Sequence, residues 1–587
     1  MKPFLLFLSF MAFAETPVTE AVPSSVAAEN DAPEAGEEVA VEAVPEAAPV
    51  DVEPVPAEPS MEDELSFDDD LSFDDFEAEF AEAEKQIEAE TEGATGHAVV
   101  YYVFSPLYWI ASNPMLSIVL LVLGIFFAMA ARDFFQTSNP VKRNFPLMAM
   151  GRYFLAAAGP PLRQYLFAND KEERPIPRFV RNWIYASSQN KDATVPFGTQ
   201  LDIHQPGSVM MRHSAFPKLK YGTPSRVHVG SHNPHCENPY DVALFNVSAM
   251  SFGSLGQNAI ESLNMGAAQE GHYHNTGEGG VSPHHLRNGG DLVWQLGTAK
   301  FGARNRDGSF NEEMFTKKVA HPNVKMVEIK LSQGAKPGKG GILPKEKITA
   351  EIAEIRNVEM GADVLSPARH SEWDDADGML DFIERIQKLS KKPVGIKFCL
   401  GDPSFLDELC AAIVKRGIAP DYVAVDGAEG GTGAAPMAHT NMLGYPMLDA
   451  VMFTENKLIE YGLRDKIRIA ASAKIWTGGD LAIALSAGAD WACSARGFML
   501  AVGCIQALHC NTNFCPSGVA TQNRWLQRGL VPKVHGPRAG NYQHAVIKEF
   551  SMVLAACGYD DASELSRKDI MIGQRSVPKW GCSWLAP

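Results

Sequence analysis

The sequence lacks the basic excess that a nucleic-acid-binding surface requires. It contains 71 Asp and Glu against 52 Lys and Arg, which gives a formal net charge of −19. Because duplex phosphates are bound by clustered Lys and Arg, this balance argues against nucleic acid as a partner. Much of the acidic excess lies before residue 92, so the rest of the chain is closer to neutral.

Cysteine is also scarce, with nine in 587 residues, and six of the nine are scattered. The scattered residues are Cys236, Cys399, Cys410, Cys493, Cys557 and Cys582. This usage excludes a disulfide scaffold and predicts reduced thiols with one special site, where the other three crowd together. The chain has no strand followed by G-x-G-x-x-G for a dinucleotide, and no further ferredoxin-type cysteine run.

A long uncharged stretch runs from Gly93 to Ala131, and its most apolar part begins at Met115. We predict a transmembrane segment at 93–132, because about 20 apolar residues span the hydrocarbon core. Acidic residues precede it and basic residues follow, so the positive-inside rule predicts a cytoplasmic C-terminal bulk at the inner (cytoplasmic) membrane. A buried core helix, or a hairpin with a second span at 98–112, is the alternative.

The residues before this stretch do not resemble a folded domain. Residues 1–14 have one lysine, an apolar run and a small-residue end, as in a signal peptide; a disordered hydrophobic start is the alternative. Residues 15–92 are rich in Ala, Pro, Glu and Asp and are predicted to be disordered, because they bury too little apolar area. Residues 133–235 form a connecting region without a clear site.

Apolar strand-like runs alternate with helical stretches over residues 236–535. The predicted strands are 243–250, 273–278, 325–332, 363–367, 394–400, 422–427, 467–473 and 491–497. Eight β-then-α units predict an α/β fold, a (β/α)8 TIM-type barrel, with an open doubly wound sheet as the alternative. Residues 536–587 are predicted to be an extension that packs on the barrel.

Glycine-rich segments follow most of these strands, where the active site of such a barrel lies. They include SAMSFG (248–253), NTGEGG (275–280), DGAEGGTGA (426–434) and SARG (494–497). Glycine permits close approach of backbone to a ligand, which suits a phosphate and a flat ring.

The three clustered cysteines are Cys504, Cys510 and Cys515, spaced C-x5-C-x4-C. Three thiolates in one loop can hold an iron–sulfur cluster. A zinc site with His509 as a fourth ligand, or buried structural cysteines, would give the same spacing.

From about Val247 to Asn523 the chain resembles the FMN-binding domain of glutamate synthases. The matching strings are SAMSFGS, NTGEGG, QGAKPGKGG, DGAEGGTGA, GCIQALHC and CPSGVATQN. The resemblance extends to free-standing members with a membrane segment and no amidotransferase. It implies FMN, and a [3Fe–4S] cluster on the three cysteines.

The resemblance also assigns roles to residues. It implies that FMN is bound by Ala249, Met250, Ser251, Gln295, Lys300, Lys397, Gly430, Gly431, Thr432, Gly433, Gly478, Ser494, Ala495, Arg496 and Gly497. Substrate contacts are implied for Gln333, Lys336 and Arg356, with Glu278 and Lys336 handling protons. Ala473 and Lys474 replace a glycine pair of the large synthases, which leaves the phosphate contacts open.

The implied reaction is reduction of 2-iminoglutarate, formed from 2-oxoglutarate and ammonia, to glutamate. No cysteine precedes Cys236, so we expect no glutaminase activity; ammonia would be free or come from a separate glutaminase subunit. Electrons would come from ferredoxin, an NAD(P)H-oxidising subunit or a membrane donor. A related flavin oxidoreductase on another substrate and a membrane-tethered electron-transfer protein are the alternatives.

Overall fold

The computed structural model describes residues 112–137 and 139–573. The predicted signal peptide, the predicted disordered segment and the first part of the predicted membrane segment lie outside the described residues. The chain divides after Gly124, and the barrel and its site belong to the second unit.

The first described helix, α1 (Pro114–Phe135), is the predicted apolar one. Its mean hydropathy reaches 2.5 over 18 residues, none of which is buried, so the alternative of a buried core helix is wrong. By length and composition α1 can cross a membrane. It is followed by α2 (Pro140–Asn144), α3 (Met148–Leu162), a π-helical turn (Arg163–Phe167) and α4 (Arg178–Ser188).

Eight parallel strands close into a barrel, which confirms the predicted fold class. Three short strands precede it: β1 (Val209–Met211), β2 (Val227–Val229) and β3 (Tyr240–Val242). The first barrel strands are β4 (Phe245–Val247), β5 (His274–Asn275), β6 (Leu292–Leu296) and β7 (Val324–Lys330). An antiparallel pair, β8 (Ile342–Leu343) and β9 (Val364–Leu365), lies outside the barrel. The remaining strands are β10 (Val394–Phe398), β11 (Tyr422–Asp426), β12 (Arg468–Ser472) and β13 (Trp491–Ser494), after which β14 (Ile570–Ile572) pairs with β1.

Helices surround the barrel and cover its apolar strands. They are α5 (Gln257–Glu270), α6 (Pro283–Leu286), α7 (Glu312–Val319), α8 (Ala350–Arg356), α9 (Ala376–Ser390), α10 (Ser404–Arg416), α11 (Met437–Met442), α12 (Met447–Glu460), α13 (Gly478–Ser486), α14 (Arg496–Ala501), α15 (Arg524–Gln527) and α16 (Pro532–Ala556). The sequence of α9 explains why this helix forms and packs on the barrel. The side chain of Asp375 caps its N-terminus, and Leu380, Ile383 and Ile386 recur at helical spacing and are buried. Helix α16 packs on α5, α13 and α4, and it crosses the predicted boundary between residues 535 and 536.

One strand assignment was wrong, although the number of barrel strands was right. The run at 363–367 was predicted to be a barrel strand, but β9 pairs only with β8, outside the barrel. The true third strand is β6, whose residues are all buried. Both segments are short and apolar, and a short run does not reveal whether it joins the barrel.

The N-terminal end of the barrel is packed shut. Tyr273, Tyr422 and Trp491 fill its interior, and the Trp491 indole donates to the Tyr273 hydroxyl at 3.0 Å. The β2–β3 hairpin covers this end through Val229 and Val242, which are 1% and 0% exposed. An open cavity is therefore left only at the C-terminal end of the described barrel, the end where such barrels carry their active sites.

Candidate active site

A cavity of about 590 Å³ opens at the C-terminal ends of the barrel strands. Every barrel strand, or the loop after it, contributes to the lining. Most of the predicted site residues meet there: Ala249, Met250, Ser251, Glu278, Gln295, Gln333, Lys336, Arg356, Lys397, Gly430, Gly431, Thr432, Gly433, Ser494, Ala495, Arg496, Cys504, Cys510 and Cys515. The structure thus brings the predicted substrate, flavin and cysteine residues to one place.

Three predicted cofactor residues do not line the cavity. Lys300 is buried away from it, with its Nζ 2.8 Å from a carboxylate oxygen of Glu372. Gly478 donates its N–H to Glu549 of α16 at 2.6 Å. A methyl group on Gly497 would lie 2.3 Å from the hydroxyl of Tyr542, also in α16. The two glycines therefore allow close packing of α13 and α14 against α16.

One carboxylate and three cations meet at one side of the cavity, and we call them the charged pocket: Glu278, Lys330, Lys336 and Arg356. Lys330, the last residue of β7, lies 3.0 Å from Glu278 through its Nζ and donates to Gln333 at 2.6 Å. Arg356 ends α8, and its guanidinium donates to the carbonyl of Phe252 at 3.0 Å. Arg356 is 4% exposed, so it is not a solvated surface residue.

The charged pocket sets its own ionisation. Burial opposes charge on Glu278, but Lys330, Lys336 and Arg356 outweigh it and lower the pKa of this carboxyl. Burial lowers the pKa of Lys336, and it lowers the pKa of Arg356 to about 10. Glu278 therefore stays ionised beside the formal positive charges of Lys330, Lys336 and Arg356, and the pocket carries a formal positive excess.

Glycines hold this pocket tightly. A methyl group on Gly297 would lie 2.6 Å from Cβ of Glu278, and one on Gly341 would lie 2.7 Å from its Oε1. A methyl group on Gly279 would lie 2.9 Å from the guanidinium of Arg356. No larger residue fits at these positions without moving the charges.

Beside the charged pocket, Lys397 projects from β10 towards β11. Its Nζ lies 3.6 Å from Asp426, a carboxylate that also accepts hydrogen bonds from Ser472 and from the N–H of Gly334. Burial opposes charge on Lys397, but Asp426 and Glu328 outweigh it and raise the pKa of this amine. Lys397 is thus a cation held in place at the cavity wall. Its pairing with a carboxylate is also what a lysine that only fills the barrel interior would show.

A second pair of cations faces the cavity after β12 and β13. Burial, then the charge of Arg496, lowers the pKa of Lys474. Arg496 is held by the carbonyl of Glu429 at 2.8 Å, and a methyl group on Gly431 would lie 2.7 Å from its Nε. These two cations lie at the ends of the last two barrel strands, the place where TIM-type barrels frequently bind phosphate.

The cysteine loop (residues 504–515) forms another wall of the cavity. Burial raises the pKa of Cys504 to about 12 and that of Cys510, whereas N–H and hydroxyl donors after Cys515 lower the pKa of that thiol despite burial. In the described ranges, no group of three or more His, Cys, Asp or Glu side chains is placed to hold a metal ion.

Sequence reasoning missed Lys347, which joins the cysteine loop to the barrel. Its side chain is 2% exposed, and Nζ donates to the carbonyls of Ser254, Cys510 and Ala520 at 2.7–3.0 Å. It also missed Lys330. Lys330 could have been found as the last residue of an apolar strand, but Lys347 lies in a single 3-10 turn (Lys345–Lys347), which is too short to show a periodic pattern.

Comparison with known proteins agrees with this geometry. Residues 224–560 match the family model described as the conserved region in glutamate synthase. The chain belongs to the glutamate synthase family. This match includes all eight barrel strands and the cysteine loop, and it makes the protein an oxidoreductase of the glutamate synthase type.

Individual relatives support the assignment. The glutamate synthase large subunit-like protein YerD of Bacillus subtilis (strain 168) is 36% identical over 498 residues, which cover 78% of this chain and 94% of YerD. The archaeal-type glutamate synthase (NADPH) of Thermotoga neapolitana is 33% identical over 321 residues, 54% of this chain and 60% of that relative. Among solved structures, a flavocytochrome b2 variant with pyruvate bound has a TM-score of 0.39 at 14% identity, covering 72% of this chain and 94% of that chain.

Proposed function

We propose that this glutamate synthase family member reduces 2-iminoglutarate, formed from 2-oxoglutarate and ammonia, to glutamate, with FMN and a [3Fe–4S] cluster as cofactors. The charged pocket carries the proposal. One carboxylate and three cations leave a formal excess of two positive charges, which matches the two carboxylates of 2-oxoglutarate. Electrostatic matching of this kind selects a dicarboxylate over a monocarboxylate.

Lys336 and Arg356 are the proposed anchors for the substrate carboxylates. An ammonium has three N–H donors, and among the described residues Lys336 uses one of them, on the carbonyl of Ala434 at 3.2 Å. The buried Nε of Arg356 has no hydrogen-bond partner in the described part of the chain. These donors support carboxylate binding at this side of the cavity, with Gln333 beside them.

Glu278 and Lys336 are the proposed proton carriers. An ionised carboxylate in a buried site can accept the proton that ammonia loses as it adds to the keto carbon. Lys336, whose pKa is lowered by burial, can return a proton to the nitrogen.

The residues present fit FMN. When bound, FMN would supply the hydride for the imine carbon. Lys474 and Arg496 would hold its phosphate, and Lys397 would lie near the ring. A methyl group on Gly433 would meet no heavy atom within 4 Å, so the loop after β11 leaves open space in the cavity.

A [3Fe–4S] cluster is proposed on Cys504, Cys510 and Cys515. The three thiols line one cavity; beyond the effect of burial, Cys510 and Cys515 raise the pKa of Cys504, and Cys515 raises the pKa of Cys510. A cluster spreads its thiolate ligands over several iron atoms, so it needs a wider triangle than a single ion. The proposed external electron donor is ferredoxin, an NAD(P)H-oxidising subunit or a membrane donor, and ammonia is proposed to be free or to come from a separate glutaminase subunit.

We also propose that α1 crosses the inner (cytoplasmic) membrane once, with the barrel on the cytoplasmic side. The support is the apolar length of α1 and the basic residues that follow it, against acidic residues before it.

Turnover by the holoenzyme tests the reaction. The protein is purified anaerobically, assayed for flavin and iron, reduced chemically, and mixed with 2-oxoglutarate and ammonium. We expect flavin absorbance to return as glutamate forms, and no glutamate when glutamine replaces ammonium. Reoxidation by a different oxo acid, with none by 2-oxoglutarate, would instead identify a related flavin oxidoreductase.

A further inference from the structure

The residues between α1 and the barrel form a basic segment. From Phe134 to Asn169 the sequence has no Asp or Glu, but four basic residues: Lys142, Arg143, Arg152 and Arg163. We call residues 139–167 the juxtamembrane segment. Its charge is opposite to that of the chain as a whole, so this segment would be attracted to an anionic surface.

The juxtamembrane segment also exposes large apolar side chains. The exposed fractions are 78% for Met148, 71% for Phe154, 61% for Leu155, 67% for Leu166 and 77% for Phe167. Helix α9, by contrast, buries its large apolar residues against the barrel. A helix that exposes both basic and large apolar side chains is typical of segments that lie in the headgroup region of a bilayer.

Contacts within the segment join its first residues to α3. Asn139 donates through its side-chain amide to the hydroxyl of Tyr153 in α3 at 2.9 Å. Lys142 lies over the ring of the same tyrosine, 5.3 Å from its centroid. Helix α3 begins thirteen residues after α1 ends, so any membrane that holds α1 lies within reach of α3.

The other end of the segment holds the cysteine loop. Gln164 donates to the carbonyl of Gln506 at 3.0 Å. The side chain of Gln506 pairs with the backbone of Ile176, accepting at 3.1 Å and donating at 3.2 Å. Tyr185 of α4 donates to the carbonyl of Cys504 at 2.8 Å. The polar contacts therefore run from the juxtamembrane segment to the cysteine loop.

We propose that the juxtamembrane segment lies in the headgroup region of the bilayer that holds α1 and binds anionic phospholipid there. This inference rests on the proposed membrane location of the protein. The basic residues meet the lipid phosphates, and the exposed aromatic and aliphatic side chains enter the boundary with the acyl chains. The cysteine loop is consequently seated at the membrane surface, where a membrane-bound electron donor can approach it.

Photocrosslinking of the full chain in lipid nanodiscs tests the proposal. p-Benzoylphenylalanine replaces Phe154 or Leu166 in the segment, Val119 in α1, or Val414 on the barrel helix α10. Val414 is 58% exposed and is the matched control. With phosphatidylglycerol present, we expect lipid adducts by mass spectrometry at 119, 154 and 166, at least tenfold above those at 414. Arg152→Gln with Arg163→Gln should reduce the adducts at 154 and 166 severalfold.

The possible outcomes distinguish a failure of this inference from a failure of the proposed membrane span of α1, on which it rests. Lipid adducts at 119 but only control levels at 154 and 166 overturn the inference and leave the membrane span intact. Adducts at 154 or 166 to a second polypeptide in place of lipid also overturn it, and identify a protein-binding surface. Control levels at all three positions overturn both the span and the inference.

Discussion

At the scale of single residues, burial and neighbouring charge act in opposite directions on the carboxylate of the charged pocket. Glu278 stays ionised because three cations outweigh its burial, and Lys336 is made more acidic by the same burial. Removing one member therefore changes the ionisation of the others as well as a contact.

Lys336→Gln should weaken substrate binding. A charge-assisted hydrogen bond contributes about 1.5–3 kcal/mol, so KM for 2-oxoglutarate should rise about 10- to 100-fold. Steady-state kinetics with a chemical reductant measures it. Lys339→Gln is the matched control, because Lys339 lies in the same loop but is exposed. Equal effects of the two variants would contradict a binding role for Lys336.

Lys347→Met should loosen the cysteine loop, because three carbonyls lose their donor: that of Ala520 in a buried hydrogen bond and those of Ser254 and Cys510 in partly buried ones. Unsatisfied buried groups cost about 1–3 kcal/mol each, and we expect a destabilisation of about 3 kcal/mol in total. The thiols of Cys510 and Cys515 should react faster with an alkylating reagent in the cofactor-free protein. Lys345→Met, at an exposed position in the same stretch, should change neither quantity. Unchanged alkylation rates in Lys347→Met would show that this lysine does not hold the loop.

At the scale of elements, the sequence predicted periodic features better than irregular ones. Helix α9, for example, follows Asp375, whose side chain caps it, and buries apolar residues at helical spacing, and the sequence shows both features directly. The sequence prediction placed β9 in the barrel and missed β6. The partners of a strand lie far away in the chain, and local sequence patterns do not encode them. The same applies to Gly478 and Gly497, whose role depends on α16, more than 30 residues later.

The connection between α5 and β5 predicts acid sensitivity. Burial, then the charge of Arg226, lowers the pKa of His272 to about 3, below the unfolded value of about 6.5. Above pH 6.5 the imidazole is neutral in both states and costs no stability. As pH falls from 6.5 towards 3, the unfolded state takes up a proton that the folded state does not, and the free energy of unfolding decreases. Between pH 7 and 4.5, the loss of unfolding free energy measured by urea denaturation should be about 2 kcal/mol smaller in His272→Phe than in the unsubstituted protein. His204→Phe, at an exposed site, should leave that dependence unchanged, and an unchanged dependence in His272→Phe would contradict the assignment.

At the scale of the whole molecule, one apolar helix should determine where the enzyme works. We expect the full chain to remain in the membrane pellet after alkaline carbonate extraction, and a tag inserted in the acidic segment before α1 to be degraded by protease added to spheroplasts. Deletion of 114–135 should release the protein into the soluble fraction. A tag in that segment that stays protected in spheroplasts would contradict the single-pass orientation.

The glycines around Glu278 have a consequence for how this catalyst could diversify. At these glycines even one methyl group would displace the carboxylate or the guanidinium, so this side of the cavity cannot be narrowed without moving its charged groups. A new substrate preference would have to arise by substitution of the cationic residues of the charged pocket. Each such substitution changes the net charge of the pocket in a single step. The enzyme should therefore evolve between substrates of different charge more readily than between substrates of different size.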